Sequence, residues 1–167
     1  FRRVLFRSSD DIMTAVKIAE EFHLDYTIEH CTEGYMIVDA LKRHHVRATI
    51  GPYLWGPEKQ ELWNMSMENP GILAQNGIDI ALTADDGSRT AYLPATIGLL
   101  LRRGLSEKAA FEGVTIQPAR TLQLEDRIGS LEPGKDADIA IFDGHPFSSL
   151  SACRMTIIDG KIVHNTL

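Results

Sequence analysis

The sequence predicts an α/β protein built on a parallel sheet and followed by a small β segment. Through residues 9–125, short β-type runs alternate with helical stripes, and this order is typical of strand–helix units in a parallel sheet. Residues 78–83 are almost continuously apolar, as in a parallel strand that helices cover on both faces. Residues 126–167 carry turn residues between short alternating runs, which indicates a separate β segment.

The α/β region begins with a helix of about four turns. Ile12, Val16 and Ala19 recur at three- and four-residue spacing, which gives this helix one buried stripe. The elements that follow are predicted from β-branched runs, further stripes and turn residues. They are a strand over 25–30, a helix around 36–41, a strand over 46–50, a helix near 72–75 with Gly77 as its C-cap, and a strand over 78–83.

Helices return before the β segment begins. We predict them over 94–103, over 107–113 behind the N-cap residue Ser106, and over 118–122. Within the β segment, residues 137–142 are predicted as a strand, and Asp159-Gly160 separates two alternating runs. An Asp-Gly pair in this setting is typical of a type I′ hairpin, because both turn residues need a positive φ.

The composition limits the kind of partner. The 167 residues include 17 Lys+Arg and 23 Asp+Glu, for a formal net charge of −6, and this balance argues against nucleic acid or an anionic membrane as the partner. No apolar run reaches the roughly 20 residues of a membrane-spanning helix. Cys31 and Cys153 match no metal-binding spacing. We therefore expect reduced thiols, a cytoplasmic protein and a small-molecule substrate.

Two polar residues stand where strands are predicted to end. His30 closes the first predicted strand and Asp85 follows the third, and the carboxyl ends of parallel strands are where functional groups gather. Such a pair can ligate a divalent metal or act as acid and base. Taken singly, a histidine in this place is more often a packing residue than a ligand, and Asp85-Asp86-Gly87 is normally a turn. Three strand–helix units form either the later part of a barrel of about 250 residues or part of an open sheet.

A longer motif lies at residues 127–143, which read RIGSLEPGKDADIAIFD. It closely resembles the segment by which chains of the amidohydrolase superfamily leave their catalytic barrel. The positions that match are Gly129, Ser130, Leu131, Gly134, Lys135, Ala137, Asp138 and Ile139. The similarity extends to TIQPARTL at 115–122, where Gln117 replaces the family's asparagine, and upstream to IALTADDGS and IEHCTEGYMI.

The resemblance implies a fold and an activity. Residues 9–125 are then the C-terminal part of a (β/α)8 TIM barrel, about strands 6–8, and residues 126–167 supply strands of a small β-sandwich. The parent protein is expected to be an imidazolonepropionase-like hydrolase that cleaves a C–N bond of a small cyclic amide or amidine through a metal-activated water. Its cofactor is a divalent metal, with Zn²⁺ the first expectation, and a homo-oligomer is one expected state.

Residue roles carry over by position. His30 matches the histidine that ends the family's sixth strand, and Asp85 matches the aspartate that ends the eighth. Both are therefore expected to be catalytic residues and metal ligands, with Asp85 as the general base. In family members with a different metal content the histidine that His30 matches contacts the substrate or water instead, so this alternative stays open for His30. Asp86 departs from the family pattern and is expected to add acidity near the metal.

Other family features have no counterpart in the sequence. The His-x-His of the first strand and the Lys or Glu of the fourth are absent, and the fifth-strand histidine should fall where residues 5–8 read LFRS. Catalytic zinc takes about three protein ligands, and His30 with Asp85 gives two at most. We therefore expect the chain by itself to be inactive. The alternative function is a non-catalytic binding or assembly module on a degenerate half-barrel.

A Schiff-base lyase on the same barrel is a weaker alternative. It needs a lysine at a strand end, and the lysines fall on predicted helices, loops or the β segment. The opening FRRVLFRS resembles translated sequencing-adapter sequence, so residues 1–8 are expected to be a non-native extension outside the fold. The loop 52–70 is predicted either as a substrate-side lid or as packing against the missing half-barrel. Its aromatic and sulfur-containing residues include Tyr53, Trp55, Trp63 and Met65.

The remaining histidines are expected away from the site. Those at the opposite edge of the sheet are predicted to be solvated or capping residues, and those in the β segment have no evident partner. They are His23, His44 and His45 in the first group and His145 and His164 in the second.

Overall fold

The computed structural model describes residues 2–54 and 59–167. Within this part of the chain, four strands form a parallel sheet in the order β1-β2-β3-β4. Their bounds are β1 (Arg2–Phe6), β2 (Tyr26–His30), β3 (Ala48–Ile50) and β4 (Ile80–Leu82). The prediction of an α/β protein with a parallel sheet is confirmed.

Helices connect the strands and follow the last of them. Ser8 caps the first helix and Ser106 the sixth, each by accepting a backbone N–H bond on its side-chain oxygen, as N-cap residues do. Short 3₁₀ turns lie at Gly34–Met36 and Gln60–Leu62. The α-helices are α1 (Ser9–Glu21), α2 (Val38–Arg43), α3 (Asn69–Gln75), α4 (Gly87–Thr90), α5 (Leu93–Leu101), α6 (Glu107–Val114) and α7 (Ile116–Thr121).

The order of the strands places the connecting helices. Consecutive strands are neighbours throughout the sheet, and parallel crossovers are right-handed, so the helices between them lie on the same face. The core forms between that face and the helices. Its largest fully buried side chains include Ile12, Val16, Ile28, Leu41, Ile50, Leu73, Ile97 and Leu100.

The opposite face of the sheet is more polar. Ile28 pairs in register with Ala48, and Glu29 pairs with Thr49. Because side chains alternate along a strand, Glu29 and Thr49 face away from the helix-covered side. Both are nevertheless buried. The sheet therefore has an apolar face toward the helices and a polar face on the other side.

A second, antiparallel sheet forms from the last forty residues. Its strands are β5 (Ile139–Phe142), β6 (Cys153–Ile158) and β7 (Lys161–Asn165). Asp159 and Gly160 join β6 to β7 with φ of 49° and 72°, so the predicted hairpin with both turn residues at positive φ is confirmed.

A short loop between β5 and β6 connects this sheet to the helices. Phe147 is buried, and its ring contacts that of Phe111 on α6. His145 donates from Nε2 to Glu107 at 2.9 Å. The expectation that His145 has no partner is therefore wrong, because the fold brings the loop against α6 from 38 residues away in sequence.

Residues 2–8 also differ from expectation. They were expected outside the fold, yet Arg2–Phe6 pairs along its whole length with β2 and Ser8 caps α1. Backbone hydrogen bonds make this pairing, and the side-chain pattern of an arginine-rich run does not reveal them. The turn expected at 85–87 likewise continues into the four-residue helix α4.

Gln117, which replaces asparagine in the family's motif, has a structural role. Its side-chain nitrogen donates to Asp79 Oδ1 at 2.8 Å, so α7 is attached to the residue that precedes β4. On the same edge of the sheet, His44 ends α2 and bonds to Glu20, as predicted for a capping residue. None of the helices described for residues 2–54 and 59–167 is long and apolar enough to cross a membrane.

Candidate active site at the carboxyl edge of the sheet

The carboxyl ends of β2, β3 and β4 bring His30, Gly51 and Asp85 to one edge of the parallel sheet. Three neighbouring non-glycine residues have left-handed φ values, 67° at His30, 43° at Cys31 and 63° at Asp85. Side chains rarely take this conformation, and it concentrates at functional sites. The backbone at these strand ends therefore has conformations that the conformational preferences of His30, Cys31 and Asp85 alone do not favour.

The hydrogen bonds of His30 fix its protonation. The imidazole is buried, and Nδ1 lies 2.6 Å from the carbonyl oxygen of Gly51, which can only accept. Nε2 lies 3.1 Å from the guanidinium of Arg7, which can only donate. We therefore assign the proton to Nδ1 and a lone pair to Nε2. This is the neutral tautomer in which histidine binds a metal through Nε2 while its other nitrogen bonds to a carbonyl.

Gly51 makes this contact possible. Its φ is +129°, and a Cβ at this position would lie 2.2 Å from the carbonyl oxygen of Thr83. Only glycine therefore allows β3 to leave the sheet this close to the end of β4. At this position the carbonyl oxygen of Gly51 lies within hydrogen-bond distance of His30 Nδ1.

Asp85 faces His30 from the end of β4. One carboxylate oxygen, Oδ2, lies 3.9 Å from His30 Nε2, and the backbone N–H of Asp85 donates to Thr83 Oγ1 at 3.1 Å. A cavity of about 190 Å³ lies beside the pair and is also lined by Arg7, Thr32 and Lys59. The structure thus brings together both residues that the sequence placed at strand ends.

The pair fits two positions of a metal site. Zinc binds nitrogen and carboxylate oxygen at about 2.0–2.2 Å, so atoms 3.9 Å apart reach one ion with little movement. In the part of the chain that the structure describes, no third His, Cys, Asp or Glu joins them. The guanidinium of Arg7 instead places a positive charge against Nε2, where a metal would bind.

Asp86 does not contribute to this site as expected. Its carboxylate caps α4 by accepting from the N–H of Arg89 at 2.9 Å, and it accepts from the hydroxyl of Ser88 at 2.6 Å. An ion pair with the Arg89 guanidinium adds to this at 2.9 Å. The hydrogen bond from Ser88 and those from Arg89 hold the pKa of Asp86 below its ordinary value. The negative charge of Asp86 therefore stabilises the start of α4 and pairs with Arg89.

The loop after β3 borders the cavity with Lys59 and Leu62. Asn64 donates to the carboxylate of Glu33 at 2.8 Å, and the same carboxylate accepts from the N–H of Ser9 at 2.7 Å. Burial raises the pKa of Glu33, but these hydrogen bonds outweigh it and leave the pKa below its ordinary value. Glu33 thus joins the loop to the start of α1.

The expected lid residues have different surroundings. Tyr53 is buried, Met65 packs partly against the core and Trp63 is exposed, while Trp55 lies outside the described residues. The residue next to His30, Cys31, is fully buried, and burial raises the pKa of its thiol to about 12. A thiol of this kind stays protonated and is no nucleophile.

Sequence reasoning missed Arg7 and Lys59. Arg7 fell within the residues that were left out of the fold, and its contact with His30 depends on the pairing of β1 with β2. Lys59 lies in a loop whose path no periodicity predicts. The role of Gly51 could have been predicted from the sequence, because Gly51-Pro52 directly follows a predicted strand.

A parallel α/β fold with His and Asp at the ends of two strands of one sheet, β2 and β4, defines a class of protein with its functional groups at the carboxyl edge of the sheet. The sequence profile of the amidohydrolase family matches residues 65–163, more than half of the 167 residues. The chain belongs to the amidohydrolase family.

Similar proteins include two kinds of curated relative. An adenine deaminase 2 of Jannaschia sp. is 41% identical over 88 residues, which is 50% of this chain and 14% of that protein. An imidazolonepropionase of Shewanella baltica is 30% identical over 104 residues, which is 56% of this chain and 25% of that protein. The chain thus spans a quarter or less of the length of these relatives.

Solved structures extend the similarity over nearly the whole chain. An amidohydrolase from Thermotoga maritima superimposes with a TM-score of 0.94 at 38% identity, over 98% of this chain and 43% of that chain. An adenosine deaminase from Xanthomonas campestris, solved with bound zinc, gives a TM-score of 0.68 at 17% identity, over 98% of this chain and 45% of that chain. At this low identity the second comparison concerns the fold alone.

Proposed function

We propose that the chain is the C-terminal portion of a metal-dependent amidohydrolase that hydrolyses a C–N bond of a small cyclic amide or amidine. The observation that carries this proposal is the arrangement of His30, whose Nδ1 bonds to Gly51 while Nε2 faces Asp85 at 3.9 Å. The adenine deaminase and imidazolonepropionase among the similar proteins support C–N bond hydrolysis. The enzyme is proposed to work in the cytoplasm on a small molecule, as a homo-oligomer.

The fold supports a barrel as the parent architecture. An open, doubly wound sheet reverses its strand order, whereas a (β/α)8 barrel keeps consecutive strands adjacent with the helices outside. The order β1-β2-β3-β4 follows the second pattern. We assign residues 9–125, together with β1, to the later half of such a barrel, and the sheet of β5, β6 and β7 to a small β-sandwich.

In this enzyme His30 and Asp85 would hold the metal, with further ligands from the rest of the protein. A divalent metal held there, with zinc as our first assignment, would supply a water whose pKa is lowered to about 7. The Asp85 carboxylate accepts a proton from the attacking water and passes it to the leaving nitrogen. His30 keeps its orientation through the Nδ1–Gly51 hydrogen bond, and the chain by itself is proposed to be inactive.

A second candidate is a non-catalytic binding or assembly module. It is favoured by the contact of Arg7 with His30 Nε2, because a guanidinium in this place opposes a metal ion. The two candidates differ in what precedes the segment in the gene. A His-x-His motif after an apolar strand is expected for the hydrolase, and its absence would favour the module.

The activity test uses the complete gene product and a panel of cyclic amides and amidines. We expect hydrolysis that a chelator abolishes. The Asp85→Asn variant should lose about 10²- to 10⁴-fold in kcat, which is the usual contribution of a general base. The matched control is Asp159→Asn at the exposed hairpin turn, which should keep full activity. Equal rates for the two variants would contradict the assignment of Asp85.

A further inference from the structure

A second cavity lies directly beside the one that holds His30 and Asp85. It measures about 210 Å³, and Pro52 lines both cavities. Consecutive residues at the end of β4 are divided between them, since Ala84 lines the second cavity and Asp85 the first. A molecule whose reacting bond lies at Asp85 therefore has an adjoining space for a substituent.

The lining of the second cavity is mostly apolar and aromatic. Tyr53, Leu54, Tyr92 and Leu93 contribute to its walls. Two of these stand out, because Leu54 is 56% exposed and Tyr92 is 66% exposed. Exposed large apolar side chains that also line a cavity are typical of ligand sites.

The one cationic side chain that the structure places in this lining is already paired. The guanidinium of Arg89 lies 2.9 Å from the carboxylate of Asp86. An anionic substituent would have to compete with Asp86 for this charge. The cavity therefore favours a neutral substituent over a carboxylate or a phosphate.

The size of the cavity limits the substituent. An apolar cavity of about 150 Å³ holds a benzene molecule, and this cavity is somewhat larger at about 210 Å³. One phenyl ring or one branched aliphatic group therefore fits.

We propose that this second cavity is the specificity pocket of the enzyme, and that its substrates carry one neutral apolar or aromatic substituent next to the C–N bond. This inference rests on the proposed function, because it places the reacting bond at His30 and Asp85. Ala84, Tyr92 and Leu93 are its specificity-determining residues.

The test is a titration of the ¹⁵N-labelled chain, followed by two-dimensional NMR, with three primary amides. Benzamide carries a neutral aromatic group, succinamate an anionic one, and acetamide only a methyl group. We expect benzamide to bind at least about tenfold more tightly than the other two, because burial of a phenyl ring adds more than about 1.4 kcal/mol. Its largest shifts should fall on Ala84, Leu93 and Thr96.

Variants give the matched comparison. Ala84→Leu fills the cavity and should weaken benzamide binding about tenfold or more, whereas Ala91→Leu, the same change at an exposed position, should leave it within about twofold. Tyr92→Ala removes an exposed ring and should weaken binding about fivefold. If Ala84→Leu fails to fold, the effect of Tyr92→Ala on benzamide binding decides between the outcomes. The proposal is overturned if benzamide and acetamide bind alike, if the shifts map elsewhere, or if neither variant weakens binding.

A zinc titration of the complete gene product, which carries the remaining ligands under the proposed function, separates this proposal from the proposed function. Zinc binding that His30→Ala abolishes, without selective benzamide binding, overturns the specificity pocket and keeps the metal site. Selective benzamide binding without zinc binding supports the pocket and contradicts the metal site.

Discussion

Replacing Asn69 with alanine should destabilise the protein strongly. Asn69 begins α3 and is only 1% exposed. Its side-chain oxygen accepts from the N–H of Tyr35 at 2.9 Å, and its side-chain nitrogen donates to the carbonyl of Cys31 at 3.0 Å. This one amide therefore joins α3 to the loop that follows His30.

The expected cost follows from these two bonds. The variant leaves one N–H and one C=O without their partner, and each such group costs about 1–3 kcal/mol when buried. Tyr35 is less buried than Cys31, so water can partly satisfy its N–H. We therefore expect Asn69→Ala to lower the free energy of unfolding by about 2–4 kcal/mol, a large fraction of the stability of an ordinary domain.

Urea denaturation followed by far-UV circular dichroism measures this change. With a slope of about 2 kcal/mol per molar urea, the midpoint should fall by about 1–2 M. The control is Asn64→Ala, because Asn64 is exposed and donates one side-chain hydrogen bond to Glu33. It should cost less than about 1 kcal/mol. Equal midpoints for Asn69→Ala and the unchanged chain would refute the reasoning.

Three further predictions follow from the contacts described above. Arg7→Ala removes the cation at His30 and should tighten Co²⁺ binding about tenfold by calorimetry; unchanged affinity would contradict the competition. The pKa of Glu33 is lowered in the folded protein, so its ionised carboxylate adds stability above its unfolded pKa, and this stability is lost as the pH falls through its folded pKa. Urea denaturation between pH 3 and 7 should therefore show that the free energy of unfolding of Glu33→Gln falls less on acidification than that of the unchanged chain. Gly98→Ala places a Cβ 2.4 Å from the Phe147 carbonyl oxygen and should lower the urea midpoint by the equivalent of about 1–3 kcal/mol; an unchanged midpoint would exclude this close contact.

Periodicity predicted the regular elements well, for physical reasons. The stripe of Ile12, Val16 and Ala19 lies fully buried on α1, because one helical face must cover the sheet. The Asp159-Gly160 turn was predictable since few residue pairs accept two positive φ values. Elements whose formation depends on distant partners were not predictable, and β1 and the docking of His145 on Glu107 are the examples.

The candidate site was predictable to a similar extent. His30 and Asp85 were found because strand ends of a parallel sheet converge. Neither the tautomer of His30 nor the charge of Arg7 against it could be predicted, because both depend on distances of about 3 Å between separate segments. Asp86 was misjudged for the opposite reason, since its local helix-capping role uses its charge.

The most direct test of the central claim is a calorimetric zinc titration of the complete gene product and three variants of it, because catalytic zinc takes about three protein ligands and His30 with Asp85 supplies two at most. We expect one site, with affinity reduced about tenfold or more in His30→Ala and in Asp85→Asn, since each removes one ligand. His164→Ala, at an exposed position on β7, should bind zinc as the unchanged chain does. Identical zinc binding by the unchanged gene product, His30→Ala and Asp85→Asn would contradict the metal site and with it the assignment of this edge of the sheet as a hydrolytic centre.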